Sequence, residues 1–482
     1  MPIKNIHSFV LLFMLTGCSV VGPAYSPPEI EVGKNWTAQY QQTVQEQSST
    51  LASWWNTLED PQLIDLIDQA LLHNLDLQEV QSRVRQARLE RIVTRASLFP
   101  TLDGSGSARK SYTRDSGGEG RETDAYSAGF DASWEIDLFG GVRKSVEASQ
   151  ADYEASVESL RDTRVSLIAE VALDYIQVRT YQERLRVARE NILSQQQTLD
   201  LLTALSKAGR GDELAIAQAR YNLESSKANI PDMQTGFQEY INSLAILTGK
   251  PAGTLQQQFL EQRPIPTASM ELAIGVPADL LRRRPDIRQA ERELAAQTAR
   301  VGEAKAELYP KLSLTGSIGL EAISADKLIN APTRLWSLGP TFSWPIFRAG
   351  ALRNQVKIED EQMQQQILQY KAAVLNATEE VENAIIAYAN EQQKLQRLQE
   401  GSKAARLAEQ LAEHQYATGM TGFSDVLDAQ RSLLSFEDQI AQSSGTVLSN
   451  LIRLYKALGG GWQSMSETDA PHTTVTKTNP TR

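Results

Sequence analysis

The only cysteine of the 482-residue chain, Cys18, stands where a lipid could be attached. It ends the sequence "LTGC", which follows Lys4 and an apolar segment at residues 9–15. A short apolar segment followed by small residues is typical of a secretory signal peptide and is too short to span a membrane as a helix. Small residues before a cysteine are typical of bacterial lipoproteins, which carry S-diacylglycerol and N-palmitoyl groups on that cysteine. The pattern predicts a signal peptide at 1–17 and lipidation of Cys18; ordinary cleavage nearby, with a chance cysteine, is the alternative.

The other side chains that commonly bind metals or catalyse reactions are scattered. The four histidines have no metal-binding spacing, and no Ser-His-Asp, Cys-His or paired-carboxylate arrangement is recognisable. The glycine-containing segments lack the spacing of a phosphate-binding loop. A formal net charge of -11 argues against a nucleic-acid partner. We therefore expect a protein that is not an enzyme and that has no metal or cofactor besides the covalent lipid.

The sequence repeats with a period of about 210 residues. "SLFPTLDGSGS" at 97–107 returns as "ELYPKLSLTGS" at 307–317. Further pairs recur at the same distance: Pro100 and Pro310, Trp134 and Trp344, Arg143 and Arg353, Gly209 and Gly419. The segments "LTGK" and "LGGG", which begin at 247 and 458, place the ends of the two copies 211 residues apart. Two tandem copies of one structural unit are therefore expected, at 61–250 and 277–460.

Each repeat contains two segments in which apolar and polar residues alternate, as they do in a strand with one apolar face. The alternation predicts strands at about 101–112, 125–138, 311–322 and 335–346. Pro340 lies in the last of these, where it either weakens the strand or marks a bulge. The chain thus offers two hairpins and four strands.

Strands of about ten residues with one apolar face match those of transmembrane barrels. Four strands cannot close a barrel, and open sheet edges cannot face lipid. Three copies of the chain would supply twelve strands, so we expect a homotrimeric barrel. The polar face would line water with Asp103, Asp131, Glu135 and Asp137. A soluble β-sandwich is the alternative.

Two very long helices are predicted at 141–207 and 353–417, where apolar residues recur at coiled-coil spacings. At a rise of 1.5 Å per residue, each would be a rod of about 100 Å. Shorter helices are expected at 61–97, 212–248, 277–309 and 423–457. We therefore predict an α+β membrane protein, mostly α, in which the barrel continues into a coiled-coil helical barrel. The tight turns that end the rods contain Gly209, Arg210, Gly211, Gly419 and Gly422, of which the glycines permit left-handed turns.

Three long motifs support a family resemblance: "RRRPDIRQAERELAAQTARVGEAKAELYPKLSLTGSIG" at 282–319, "FSWPIFRAG" at 342–350 and "GFSDVLDAQRSLL" at 422–434. The chain resembles the TolC-like outer-membrane efflux family, in its lipoprotein branch of OprM-like or NodT-type proteins. The resemblance implies a trimeric tunnel in the outer membrane of a Gram-negative bacterium, anchored by lipid and extending into the periplasm. It also implies a periplasmic adaptor and an inner-membrane pump as partners, and export of drugs, metals or other toxic solutes.

The resemblance further implies a gate at the periplasmic end of the tunnel, where acidic side chains face the axis. Asp425 and Asp428 match these acidic positions, although aspartate is also favoured at any helix N-terminus. Tyr416 matches the tyrosine of a latch that also uses an arginine and an aspartate. Those two positions hold Thr421 and Ala215 here, so Arg210, Asp212 or Glu213 are the candidate substitutes.

The remaining segments complete the predicted organisation. Residues 18–60 would form a lipidated N-terminal segment, 251–276 a linker in the equatorial region, and 461–482 a disordered polar tail. Two other functions stay open on the sequence. One is a duct for polypeptides in type I secretion; the other is a trimeric coiled-coil lipoprotein that serves as a scaffold or adhesin.

Overall fold

We describe a computed structural model of the chain for residues 20–28, 51–114, 117, 120–209, 212–267, 282–329 and 333–462. The predicted signal peptide, Cys18, Arg210, Gly211 and residues 463–482 lie outside the described residues. The chain divides into two compact units, and each draws on both repeats. The sheet unit comprises Met1–Ile30, Ser82–Glu158 and Arg288–Ala372; the helical unit comprises Glu31–Gln81, Ser159–Ile287 and Ala373–Arg482.

The sheet unit contains one antiparallel sheet with the strand order β1-β2-β3-β4. Its strands are β1 (Thr101–Arg114), β2 (Gly120–Ile136), β3 (Lys311–Ala322) and β4 (Thr333–Ser343). The alternation located β3 correctly and placed the end of β4 three residues too late. Pro345 lacks an N–H group for a ladder hydrogen bond, which accounts for the early end. The pairing of β4 with β3 is continuous through Pro340, which lies opposite Leu314, so the expectation of a bulge there is wrong.

The two hairpins have the same register when one is shifted by 210 residues. Thr101 pairs with Ser133 in the first hairpin, and Lys311 pairs with Ser343 in the second. A side-chain contact repeats as well, because the Trp134 indole donates to the Leu98 carbonyl at 3.0 Å and the equivalent Trp344 indole donates to the Leu308 carbonyl at 3.2 Å. The structure therefore confirms the tandem repeat.

The ends of the repeats also follow the 210-residue period. Gly249 and Gly459 both have positive φ, at 71° and 70°, and both follow the last helix of their repeat. They are 210 residues apart, so the distance of 211 inferred from the flanking sequence was wrong by one residue. Glycine suits these positions because a left-handed residue at a helix C-terminus satisfies the last carbonyls without a Cβ clash.

Eight α-helices lie among the described residues: α1 (Pro61–His73), α2 (Leu75–Ala96), α3 (Gly141–Lys207), α4 (Glu213–Ala228), α5 (Ile230–Leu247), α6 (Pro285–Ala306), α7 (Ala351–Ala417) and α8 (Phe423–Ala457). The long helices α3 and α7 have 67 residues each, as the periodicity indicated. None of the described helices is long and apolar enough to cross a membrane.

Two of the predicted short helices are broken in the middle. Asn74 separates α1 from α2, and its side-chain oxygen accepts a hydrogen bond from the Leu77 amide at 2.9 Å, as an N-cap does. Asn229 separates α4 from α5, and Pro231 lies in the first turn of α5. Apolar periodicity continues across such breaks, which is why the sequence indicated one helix in each place.

The core of the helical unit includes residues that precede α1. Trp54 is fully buried and stacks on Tyr455 of α8 at 5.2 Å between ring centroids. This part of the predicted lipidated segment therefore belongs to the folded body. The predicted tail begins at 461, yet the Arg161 guanidinium lies 4.9 Å from the centre of the Trp462 ring, so the first residues of that segment pack on the fold too.

Candidate functional site

The two faces of the sheet differ as the alternation predicted. On one face, hydroxyl and carboxylate groups of neighbouring strands bond to each other: Ser105 donates to Asp131 at 2.7 Å, and the Ser107 and Ser127 hydroxyl oxygens are 2.9 Å apart. The other face carries large apolar side chains that remain exposed within the described part of the chain: Leu102, Phe130, Ile318, Trp336, Leu338 and Phe342. A continuous exposed apolar face of this kind indicates contact with lipid.

The turns between the long and short helices are built as the glycines indicated, with one exception. Gly209 follows α3 and Gly419 follows α7, and both have φ of +74°. Gly422 has a φ of -82° and occupies the N-cap of α8, so the left-handed conformation expected there is wrong. The first turns of α8 therefore start directly after this tight reversal.

An apolar face of α8 fixes the direction of its first acidic residues. Three side chains of α8 pack into a cluster with residues of α3 and α4: Phe423, Val426 and Leu427 pack with Leu199, Leu202, Ala215, Ile216, Ala219 and Leu223. Because the helical period places the polar positions on the opposite side, Asp425 and Asp428 are exposed. Ala215 is almost completely buried in this cluster, so its position cannot supply the acidic latch residue.

Each of the two aspartates contacts one neighbour. The Thr421 hydroxyl donates a hydrogen bond to the Asp425 carboxylate, which joins the turn to the helix. The Asp428 carboxylate lies 3.7 Å from the Arg431 guanidinium, one turn further along α8. Asp428 keeps 76% of its side chain exposed, so this ion pair leaves the carboxylate open to solvent. Both carboxylates remain available to a cation or to a neighbouring chain.

Arg431 connects the aspartate-bearing helix to α4, and the sequence gave no indication of this. Its guanidinium donates to the Asn222 side-chain oxygen at 2.9 Å and to the Tyr221 hydroxyl at 2.8 Å, and it lies 5.5 Å from the Tyr221 ring centre. The spacing of Asp425, Asp428 and Arg431, three residues each, could have placed Arg431 on the same helix face. Its partners could not be found in this way, because they lie in the other repeat.

Tyr416 packs against the start of α8. Its ring centre lies 5.3 Å from that of Phe423, and burial, together with the Asp212 carboxylate, raises the pKa of the Tyr416 hydroxyl. Of the candidate latch substitutes, Asp212 caps α4 through the Leu214 amide at 2.9 Å, and Glu213 accepts from Ser206 at 3.1 Å. Both groups are therefore already engaged within one chain.

The leader residues that follow the predicted lipidation site are held on the sheet unit. The Val21 amide donates to the Phe139 carbonyl at 3.0 Å, and the buried Lys144 ammonium reaches the Pro23 carbonyl at 3.4 Å. Gly22 has a φ of +123°, and a Cβ there would lie 2.5 Å from Cα of Gly302. Only glycine permits this close approach of two backbones.

Tyr25 completes the attachment of the leader. Its ring packs on Ala151, Ala295 and Ala296, and the Arg292 guanidinium lies 5.7 Å from the ring centre. Burial raises the pKa of the Tyr25 hydroxyl, and the neighbouring Glu291 carboxylate raises it further. Backbone bonds, a glycine contact and an aromatic anchor therefore fix the chain a few residues after Cys18.

Replacing Gly22 by alanine is expected to release the leader. The Cβ would collide with the Gly302 backbone and force a strained φ, which costs about 1–3 kcal/mol. Cleavage by chymotrypsin after Tyr25 should then become roughly tenfold faster, because the open state becomes more populated. Gly339→Ala, at a position where a Cβ meets nothing within 4 Å, is the matched control and should leave the rate unchanged. Equal rates for both variants would contradict the proposed attachment.

Comparison with known proteins gives the class to which this geometry belongs. The family described as "Outer membrane efflux protein" matches residues 66–250 and 276–460, two segments whose starts and ends are both 210 residues apart. The chain therefore belongs to the outer membrane efflux protein family. It is an outer-membrane efflux channel, and its fold is that of the trimeric channels in which a β-barrel continues into a helical tunnel.

Individual relatives match nearly the whole chain. The solvent efflux pump outer membrane protein SrpC of Pseudomonas putida is 32% identical over 470 residues, which cover 96% of this chain and 99% of SrpC. The cation efflux system protein CusC of Escherichia coli O6:H1 is 30% identical over 456 residues, covering 94% and 98%. Among solved structures, the outer-membrane channel OprN matches with a TM-score of 0.87 and 35% identity, covering 92% of this chain and 99% of OprN.

Proposed function

We propose that the chain forms a passive homotrimeric duct, lipidated on Cys18, that carries toxic solutes from a periplasmic adaptor and an inner-membrane pump to the outside. The duct has no catalytic activity of its own. The observation that carries this proposal is a four-stranded sheet with one exposed apolar face and two open edges, β1 and β4. Such edges are tolerated in lipid only when further strands close them.

The gate of this duct is the ring of carboxylates that Asp425 and Asp428 form when three copies assemble. A threefold axis would bring six carboxylates together, and like charges that converge repel each other and attract a cation. The exposure of both side chains beside a tight turn supports this role. Tyr416 and Arg431 act as positioning residues, because they pack on or bond to the helix that bears the aspartates.

The partners follow from the energy that transport requires. The sequence has no phosphate-binding loop with which the chain could use a nucleotide, so the driving force is assigned to the inner-membrane pump. SrpC is named for a solvent efflux pump and CusC for a cation efflux system. We assign small toxic solutes to this duct, organic compounds or metal cations, and we assign the choice between them to the pump.

Ion conductance separates a duct from a scaffold. The purified protein in a planar lipid bilayer should give discrete conductance steps, and light scattering should give the mass of three chains. Deletion of the gene should raise susceptibility to organic toxicants or to metal salts and leave the secretion of polypeptides unchanged. A folded monomer without conductance would overturn the proposal, and loss of a secreted polypeptide alone would favour the type I secretion alternative.

A further inference from the structure

Equivalent residues of the two repeats differ in exposure at the two ends of the sheet. Leu312 in the central strand β3 is half-buried, whereas its counterpart Leu102 in β1 is 69% exposed. Ile136 at the end of β2 is half-buried, whereas its counterpart Ile346 after β4 is 83% exposed. Within the chain, Ile136 is paired directly with Leu312. The two exposed residues are therefore the halves of a second contact of the same kind.

We infer that copies of the chain join through β4 and β1 in the register that β2 and β3 already show within one chain. This inference rests on the proposed homotrimer and adds its residue-to-residue pairing. Shifting each partner of the β2–β3 pairing by one repeat length pairs Ile346 with Leu102 and Ser343 with Ser105 of the neighbouring copy. The same shift pairs Ser337 with Ser111 and Trp336 with Tyr112.

The inferred register keeps the two faces of the sheet continuous across the junction. Residues with even numbers carry the apolar face of all four strands, and those with odd numbers carry the polar face, apart from a few exceptions such as Leu335. The pairing joins even to even and odd to odd, so no side chain changes face. A shift by one residue would place every apolar side chain of one strand beside polar neighbours and is therefore excluded.

The exposed face of α2 extends the same junction beyond the sheet. Its counterpart α6 buries several side chains within the sheet unit, including Leu294, Ala296 and Ala299. By contrast, Leu89, Ile92 and Val93 of α2 are exposed, and so are Phe99 just before β1 and Phe347 after β4. A second copy that repeats the contact between the repeats would cover these side chains, which places the helix surface on the same interface as β1.

The register also gives the stagger of the closed sheet. Hydrogen-bonded partners lead from Leu102 to Ala132, Gly316 and Leu338 within one chain. The inferred pairing continues from Leu338 to Lys110 of the neighbouring copy, eight residues beyond the start. Closed barrels require such a stagger between first and last strand, and a flat unstaggered sheet could not close.

Disulfide cross-linking between copies tests the register. Ser105→Cys with Ser343→Cys and Ser111→Cys with Ser337→Cys are the two variants in register, and each should form a covalent trimer on oxidation. Directly opposed residues lie about 4.5–5.5 Å apart, within reach of a disulfide. Within one chain, β1 and β4 are separated by three strand spacings, roughly 14 Å, so cross-linking inside a chain is excluded.

The same four serines provide the matched controls. Ser105→Cys with Ser337→Cys, and Ser111→Cys with Ser343→Cys, are each six residues out of register and should stay uncross-linked. The unchanged chain, whose only cysteine is Cys18, serves as the background. Cross-linking of the mixed pairs in a protein that remains trimeric, or of none of the four, would overturn the register alone. A protein that is monomeric by light scattering would overturn the proposed trimer itself.

Discussion

Replacing Asp425 and Asp428 together by alanine is expected to raise the single-channel conductance several-fold and to weaken block by multivalent cations. In water a unit charge at about 4 Å contributes roughly 1 kcal/mol to the binding of a cation, so losing several carboxylates should raise the half-blocking concentration about tenfold or more. The substitution also removes the Thr421–Asp425 and Asp428–Arg431 contacts, which hold the start of α8. Both effects are measured in planar bilayers, before and after addition of a trivalent cation.

The control for the gate removes the same charge from elsewhere. Glu224 and Glu400 form exposed ion pairs with Lys227 at 2.9 Å and Lys403 at 2.8 Å, each within one helix. Their replacement by alanine should leave conductance and block nearly unchanged, because exposed pairs of this kind contribute little. If the aspartate variant conducts and is blocked like the unchanged protein, the assignment of the gate is wrong.

Replacing Arg179 by methionine is expected to lower the free energy of unfolding by about 3–5 kcal/mol, because the loss of one member of a buried charged network leaves its partners unsatisfied. Arg179 is completely buried in the helical unit. Its guanidinium donates to Gln62 and Gln182 at 2.6 Å and to the Tyr175 hydroxyl at 3.0 Å. Tyr175 in turn donates to Asp60, the N-cap residue of α1.

Chemical denaturation followed by circular dichroism, at one fixed protein concentration, measures the effect of Arg179. Arg186→Met is the matched control, since its guanidinium is 40% exposed and pairs with Glu183 and Glu190 on the same helix. That variant should cost under about 1 kcal/mol. Equal losses in the two variants would show that the buried network does not stabilise the helical unit.

Much of the fold could be predicted because its elements are long and regular. Alternation of apolar and polar residues identified β3 to the residue, and helical periodicity bounded α3 to the residue and α7 to within two. These signals are local, and each is repeated once in the chain. The breaks at Asn74 and Asn229 were missed because the apolar stripe continues on both sides of them.

The functional surroundings were harder to predict because their partners are distant in sequence. The contacts of Arg431 with Tyr221 and Asn222 span 210 and 209 residues. The approach of Gly22 to Gly302 spans a similar distance, and neither glycine stands in a recognisable motif. Aspartates 425 and 428 could be assigned only through the family resemblance, since acidic residues at a helix start are common.

The register of the sheet has a consequence for the width of the passage. Twelve strands with a stagger of eight residues per copy have a total stagger of 24. With strands about 4.8 Å apart and a rise of about 3.3 Å per residue, the circumference is roughly 100 Å and the backbone diameter roughly 30 Å. Serine, threonine and glycine make up much of the inner wall, so the bore stays wide. A hydrated cation and a solvent molecule would both pass through it, and the strands would not act as a sieve.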